Sequence, residues 1–311
     1  MKSANLFANP VKHPTAPTTM FTTGEMPVLI LYIMDTIAKG SNLVAEIDGF
    51  NLSYDDFGEG EVIIFLHGYP FSKAMWKEQL DFFKSKHRVI AIDIRGFGRS
   101  KDEETTLSID LFGDDLIALM DKMAISKAVI CGLSMGGYIA LDVLKKFPNR
   151  FEALVLCDTQ CIADSPDVKE KRYQAIEDIT ANGSREFNEE FVTSVFHEDT
   201  LRNKPELVES LRNMVFSNSD NIITMGLTAL AGRGETCSAL NGITIPALII
   251  CGLHDKITPL AQSEIMHAAI KGSVLKVIDG AGHVSNLEQP DAFNKILSDF
   301  MTVLEDAKVT E

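Results

Sequence analysis

Gly132-Leu133-Ser134-Met135-Gly136-Gly137 stands directly behind the apolar run Ala128 to Cys131 and ahead of helix-spaced residues. A strand-to-helix turn this tight forces its middle residue into an unfavourable backbone conformation, and side chains two positions to either side would collide. Glycines remove the collision and leave the Ser134 hydroxyl facing solvent, so Ser134 is the expected nucleophile. A serine hydroxyl is weak until a base within hydrogen-bond reach takes its proton. His283, in Asp279-Gly280-Ala281-Gly282-His283, follows the last strand-like run and precedes the last helix, and is the expected base. His13, His87, His197 and His267 read as surface or packing residues, and His254 as a structural neighbour of the acid.

That acid must orient the imidazole and stabilise its charged form. Asp255, in Cys251-Gly252-Leu253-His254-Asp255, lies just past a strand-like run and completes the chain order Ser, Asp, His; Asp158, at the end of the preceding run, is its rival. Such a set performs acyl transfer, which also needs donors for the developing oxyanion. The Met135 backbone N–H is one expected donor. The other comes from His67-Gly68-Tyr69-Pro70: Pro70 has no N–H and Gly68 permits close approach, which leaves the Tyr69 N–H. His67 itself is expected to brace loops.

The elements that must position these residues are legible as alternating periods. Leu43 to Ile47 and Phe50 to Tyr54 flank Asp48-Gly49 as a hairpin. Val62 to Leu66, Arg88 to Ile94, Ala128 to Cys131, Ala153 to Cys157, Ala247 to Cys251 and Val274 to Ile278 are strand-like, and continuous rather than alternating apolar runs imply a mainly parallel sheet covered by helices. Trp76, Leu80 and Phe83 form one helical stripe behind Ser72 as a candidate N-cap, and Phe112, Leu116, Leu119, Met120 and Met123 form a second. This alternation is that of a doubly wound α/β fold.

The stretch between Cys157 and Ala247 is far longer than an ordinary connection. Helical signals over 169–181, 184–196, 205–216 and 221–231 make it an inserted helical lid over 160–245, with hinges at Asp164-Ser165-Pro166 and Gly242 to Pro246. Residues 34–159 and 246–311 form the core, and the Thr-, Pro- and Asn-rich residues 1–33 read as a dispensable leader. The lid aromatics and methionines, Phe187 and Phe191 among them, have the helical spacing of packing residues rather than pocket walls.

Composition bounds the partners. With 29 Lys and Arg against 44 Asp and Glu, the net charge of −15 disfavours nucleic acid and anionic membrane, and favours neutral over strongly anionic substrates unless local basic groups override the overall field. No apolar run approaches the roughly 20 residues of a membrane-spanning helix. The five cysteines, three of them inside apolar runs, are expected as buried free thiols of a reducing, cytoplasmic compartment rather than a disulfide framework. Neither C-x-x-C nor H-E-x-x-H spacing occurs, and the expected chemistry needs no metal or organic cofactor.

His67 to Pro70 with Trp76 beyond it, Asp93 to Ser100, Gly132 to Gly137, Gly252 to Asp255, and Gly282-His283 with Glu288-Gln289-Pro290 together resemble the α/β-hydrolase superfamily from residue 42 to the end. Asp158-Thr159 before the lid is similar to the small lidded carboxylesterases and the 3-oxoadipate enol-lactonase-like group. The resemblance implies hydrolysis of a small carboxylic ester or lactone, and the lid over the site a preference for short or medium acyl chains. Carbon–carbon bond hydrolysis, perhydrolysis and a non-catalytic receptor are the alternatives. It also makes Asp93 to Ser100 a structural loop, so Arg95 is not expected in the chemistry. Serine rather than aspartate at position 134 departs from haloalkane dehalogenases and epoxide hydrolases.

Overall fold

The computed structural model describes residues 39–309, and the expected leader over 1–33 lies outside them. Eight strands form one sheet: β1 Gly40–Ile47, β2 Phe50–Phe57, β3 Val62–Leu66, β4 Arg88–Ile92, β5 Ala128–Leu133, β6 Phe151–Cys157, β7 Ala247–Gly252 and β8 Val274–Ile278. Their spatial order is β1-β2-β4-β3-β5-β6-β7-β8. β1 and β2 pair antiparallel, as do β2 and β4, and every later pairing is parallel. The opening hairpin turns on Asp48 and Gly49, both at positive φ, which suits the tight turn that matches strand twist.

β5 and β7 are buried along their whole length, as continuous apolar runs require. Ile64 and Leu66 point to one face and Ile63 and Phe65 to the other, and each pair joins a separate apolar cluster. On one face lie α2 Ile109–Lys122, α3 Met135–Lys146 and α9 Leu260–Ala269; on the other, α1 Lys77–Phe83 and α11 Pro290–Val309, with the one-turn α10 Ser285–Glu288 ahead of α11. Each fully buried Leu, Ile or Phe in these clusters contributes about 1.5–3 kcal/mol relative to exposure. β8 is an edge strand and, like β1 at the opposite edge, is largely exposed.

Between β6 and β7 the chain is helical: α4 Pro166–Asn182, α5 Arg185–Val195, α6 Glu198–Asn203, α7 Pro205–Phe216 and α8 Asp220–Gly232. Proline opens α4 and α7, where its missing N–H costs nothing, and Ser165 and Ser219 cap α4 and α8. The short α6 carries too little periodicity to be expected from sequence. Ser72, expected to cap the first helix, donates its N–H to Met214 Sδ at 3.2 Å, and its side chain caps nothing.

One expectation about this region is corrected. Cys161 and Cys237 form a disulfide, so only Cys131, Cys157 and Cys251 are free and buried. Their 76-residue separation hid the pairing, which joins the two ends of the insert just outside β6 and β7. Asp164, at one expected hinge, is engaged within the insert: its carboxylate accepts from Arg172 Nε at 2.6 Å and lies 2.7 Å from Arg233 Nη2. Both guanidiniums hold its carboxyl below the ordinary range despite burial.

Candidate active site

The loops after β3, β5, β6, β7 and β8 converge at the carboxyl edge of the sheet, the edge where open α/β sheets bind ligands. Ser134 sits between β5 and α3 at φ 53° and ψ −114°. A Cβ on Gly132 would overlap the Gly136 carbonyl, and one on Gly136 would overlap the Leu66 carbonyl, so both glycines are required by close approach. The turn is tied down by Ser134 N–H donating to Cys157 O at 2.9 Å and Thr159 Oγ1 donating to Ser134 O at 2.8 Å.

Ser134, His283 and Asp255 meet. Ser134 Oγ lies 2.9 Å from His283 Nε2, and His283 Nδ1 lies 2.9 Å from Asp255 Oδ2. Thr258 donates to both Asp255 oxygens, through Oγ1 at 2.7 Å and through its N–H at 3.0 Å, and the Ile257 N–H adds a bond of 2.8 Å. Burial opposes charge on Asp255, yet the His283 charge and these donors hold its carboxyl below the usual range. Burial likewise opposes the imidazolium of His283, but the Asp255 carboxylate outweighs it and the pKa is raised.

Asp158 stands behind this set. Its carboxylate accepts from the Gly252 N–H at 2.7 Å and from Ser285 Oγ at 2.6 Å, stitching the loops that carry Asp255 and His283. Burial first, and the nearby Asp255 charge second, push its pKa up to about 8. Glu288, also buried, accepts the Gly282 N–H at 2.6 Å and the His197 N–H at 2.8 Å, and the His283 N–H donates to Val195 O at 2.7 Å. The histidine loop is therefore fastened to the helical insert.

The loop after β3 abuts the serine turn, because a Cβ on Gly68 would lie 3.1 Å from Ser134 Cβ. The Gly68 carbonyl is engaged by His67 Nδ1 at 2.8 Å and by the Phe71 N–H at 2.9 Å. In a planar trans peptide the Tyr69 N–H points the opposite way, away from both. The Met135 N–H belongs to the first turn of α3, where a helix supplies no acceptor. The Tyr69 hydroxyl donates to Ile223 O of α8 at 2.9 Å. His67 Nε2 accepts the Ile94 N–H at 3.0 Å, and burial lowers its pKa to about 4, so it is a neutral loop brace. Arg95 is bound to Asp115 and Asp102 and stacks on Phe50, far from any reacting role.

The sequence profile of the alpha/beta hydrolase fold matches residues 61–290. The chain belongs to the α/β-hydrolase family. Its relatives include 3-oxoadipate enol-lactonase 2 of Acinetobacter baylyi, 31% identical over 245 residues, covering 78% of this chain and 90% of the relative. Among solved structures, a thermophilic esterase from Thermogutta terrifontis superposes with a TM-score of 0.80 at 31% identity, covering 84% of this chain and 98% of the esterase. An enol-lactonase from Burkholderia xenovorans superposes with a TM-score of 0.78 at 27% identity, covering 84% and 100%.

In this α/β-hydrolase, Ser134 and His283 open into a cavity of about 290 Å³. Phe187, Phe191, Leu227 and Leu230 of the insert form its apolar wall, so two aromatics expected only to pack are pocket walls. Helical spacing could not separate the two roles, because each ring also packs on its neighbours. Tyr138, Lys171 and Arg172 line the same cavity and were not anticipated. Among the described residues, no helix is long and apolar enough to cross a membrane.

Proposed function

We propose that this protein is a serine hydrolase that cleaves a small carboxylic ester or lactone through an acyl-enzyme. Ser134 attacks the carbonyl carbon while His283 Nε2 takes its proton, and Asp255 holds His283 in the required tautomer. The Met135 and Tyr69 amides stabilise the oxyanion. His283 then returns the proton to the leaving alkoxide, and water, activated by the same imidazole, releases the acid and frees Ser134. The observation that carries this reading is the unbroken relay of two 2.9 Å contacts from Ser134 Oγ to the Asp255 carboxylate. The enol-lactonase and esterase relatives support the same chemistry.

Residues 160–245 act as a cap over a core of 39–159 and 246–309. The cavity, about 290 Å³, is at the low end for ligand sites and suits small substrates. Lys171 and Arg172 reverse the expectation drawn from bulk charge. Two guanidiniums, Arg172 and Arg233, share the single Asp164 carboxylate, and Lys171 adds a further cation at the mouth. A small ester or lactone bearing one carboxylate is therefore the favoured substrate. The Cys161–Cys237 bond also argues for an oxidising compartment in place of the cytoplasmic one expected from free thiols.

Turnover of p-nitrophenyl acetate and butyrate, followed by a panel of esters and lactones that includes an enol-lactone, tests the reading. Hydrolysis that disappears in Ser134→Ala supports it. Activity confined to carbon–carbon bond substrates or peracid formation would reassign the substrate, and no turnover on any panel would leave a receptor.

A further inference from the structure

A second cavity, of about 460 Å³, adjoins the catalytic one. The two share a single lining residue, Tyr138, one helical turn beyond Ser134, to whose carbonyl its N–H donates at 3.2 Å. α8 faces both chambers: Leu227 and Leu230 line the catalytic one, Thr228 and Ala229 the other.

The wall between them is built rather than incidental. The Arg233 guanidinium, on the second-chamber side, packs over the Tyr138 ring at 4.4 Å from its centroid. Such a contact, desolvated as here, restrains the ring beyond what packing supplies. Arg233 is itself buried and is held by the Leu230 carbonyl at 2.9 Å and by Asp164 at 2.7 Å. Asp164 in turn binds Arg172, which lines the catalytic chamber. One carboxylate thus braces cations on both sides of the tyrosine, and the ring cannot swing aside without disturbing that bridge.

We propose that Tyr138 is a specificity-determining residue, the partition that ends the catalytic chamber and confines the substrate to a short acyl limb. The inference rests on the ester-hydrolase reading above. With tyrosine present, a long acyl chain meets the ring; with the ring removed, the chamber of about 290 Å³ opens into that of about 460 Å³ and the chain extends past it. Leu107, Ile109, Ile162 and Ala229 supply apolar surface there among charged neighbours such as Asp142 and Lys145, and each methylene buried against such surface is worth roughly tenfold in specificity.

The experiment compares kcat/KM for p-nitrophenyl octanoate and butyrate in the wild type, Tyr138→Ala, Tyr138→Phe and the double variant Tyr138→Ala/Thr228→Trp. The octanoate-to-butyrate ratio is expected to rise at least about tenfold in Tyr138→Ala and to stay near the wild-type value in Tyr138→Phe, which keeps the ring. Thr228 is exposed and lines only the second chamber, so its replacement by Trp should return the ratio towards the wild-type value. Circular dichroism and thermal unfolding establish that each variant is folded, and Tyr138→Leu substitutes if the alanine variant is not. An unchanged ratio in a folded Tyr138→Ala or Tyr138→Leu, or a rise that Thr228→Trp leaves intact, would overturn the partition alone. Absence of Ser134-dependent ester turnover in the wild type would instead overturn the hydrolase reading and the partition with it.

Discussion

His283 receives opposing influences whose balance fixes its working range. Burial favours the neutral ring, whereas the Asp255 carboxylate favours the imidazolium and prevails, so the pKa lies above the ordinary 6.5. A general base must be neutral, so kcat/KM should rise with pH through a midpoint above 6.5 and fall away as acid protonates the ring. Asp255→Asn should lower that midpoint and cut kcat by about 10⁴-fold, because the tautomer is no longer enforced. Asp158→Asn should cost far less, since Asp158 bonds Gly252 and Ser285 and not the imidazole. A pH–rate profile of both variants checks this, and the reverse ranking would transfer the acid's role to Asp158.

Lys171 is exposed at the cavity mouth, and its removal should leave the fold intact. Lys171→Ala should raise KM for the p-nitrophenyl monoester of a short dicarboxylic acid by about 3- to 10-fold, with little change for the neutral butyrate, as expected for one exposed charge of about 1 kcal/mol. Equal effects on both esters would remove the carboxylate from the substrate description. At this scale the chain was legible where chemistry demands a spacing. Glycines two positions either side of Ser134 and the loop positions of Asp255 and His283 are written locally. Thr258, Tyr138 and Arg172 were not, because their roles depend on what the insert and the loops bring beside them in space.

The helical insert is secured at its base. The Cys161–Cys237 bond and the Arg172–Asp164–Arg233 bridge tie the two ends of the insert to each other, and Glu288, which also accepts from Gly282, fastens it at His197 to the sheet's carboxyl edge. A cross-link that closes a loop of 76 residues restricts the unfolded chain, and the typical gain is about 2–4 kcal/mol. Cys161→Ser/Cys237→Ser should lower the unfolding free energy by about that amount in urea titration. Thiol titration of the denatured wild type should find the three free cysteines, Cys131, Cys157 and Cys251. Five reactive thiols would restore the expectation of a fully reduced chain. Helix positions were legible from proline, serine caps and apolar spacing, whereas the pairing of two distant cysteines carries no local signal.

At the scale of the whole molecule, a sheet whose parallel strands end at one edge gathers residues from Tyr69 to His283 into one pocket. The parallel order followed from buried apolar runs and one long helical interruption, although β8 is more exposed than its apolar run implied. Bulk charge was the least informative feature. A net −15 spread over the surface does not describe a cavity whose mouth carries Lys171 and Arg172. Charge placement at the cavity, which requires the fold, is what the proposed carboxylate-bearing substrate rests on.

The central claim is that Ser134 forms a covalent acyl-enzyme at this pocket. Reaction with a p-nitrophenyl organophosphate, followed by intact-protein and peptide mass spectrometry alongside ester turnover by Ser134→Ala, tests it most directly. One adduct per chain, located on Ser134, is expected, with turnover lost by about 10⁶-fold in Ser134→Ala. An adduct at another residue, or wild-type turnover retained by Ser134→Ala, would contradict it.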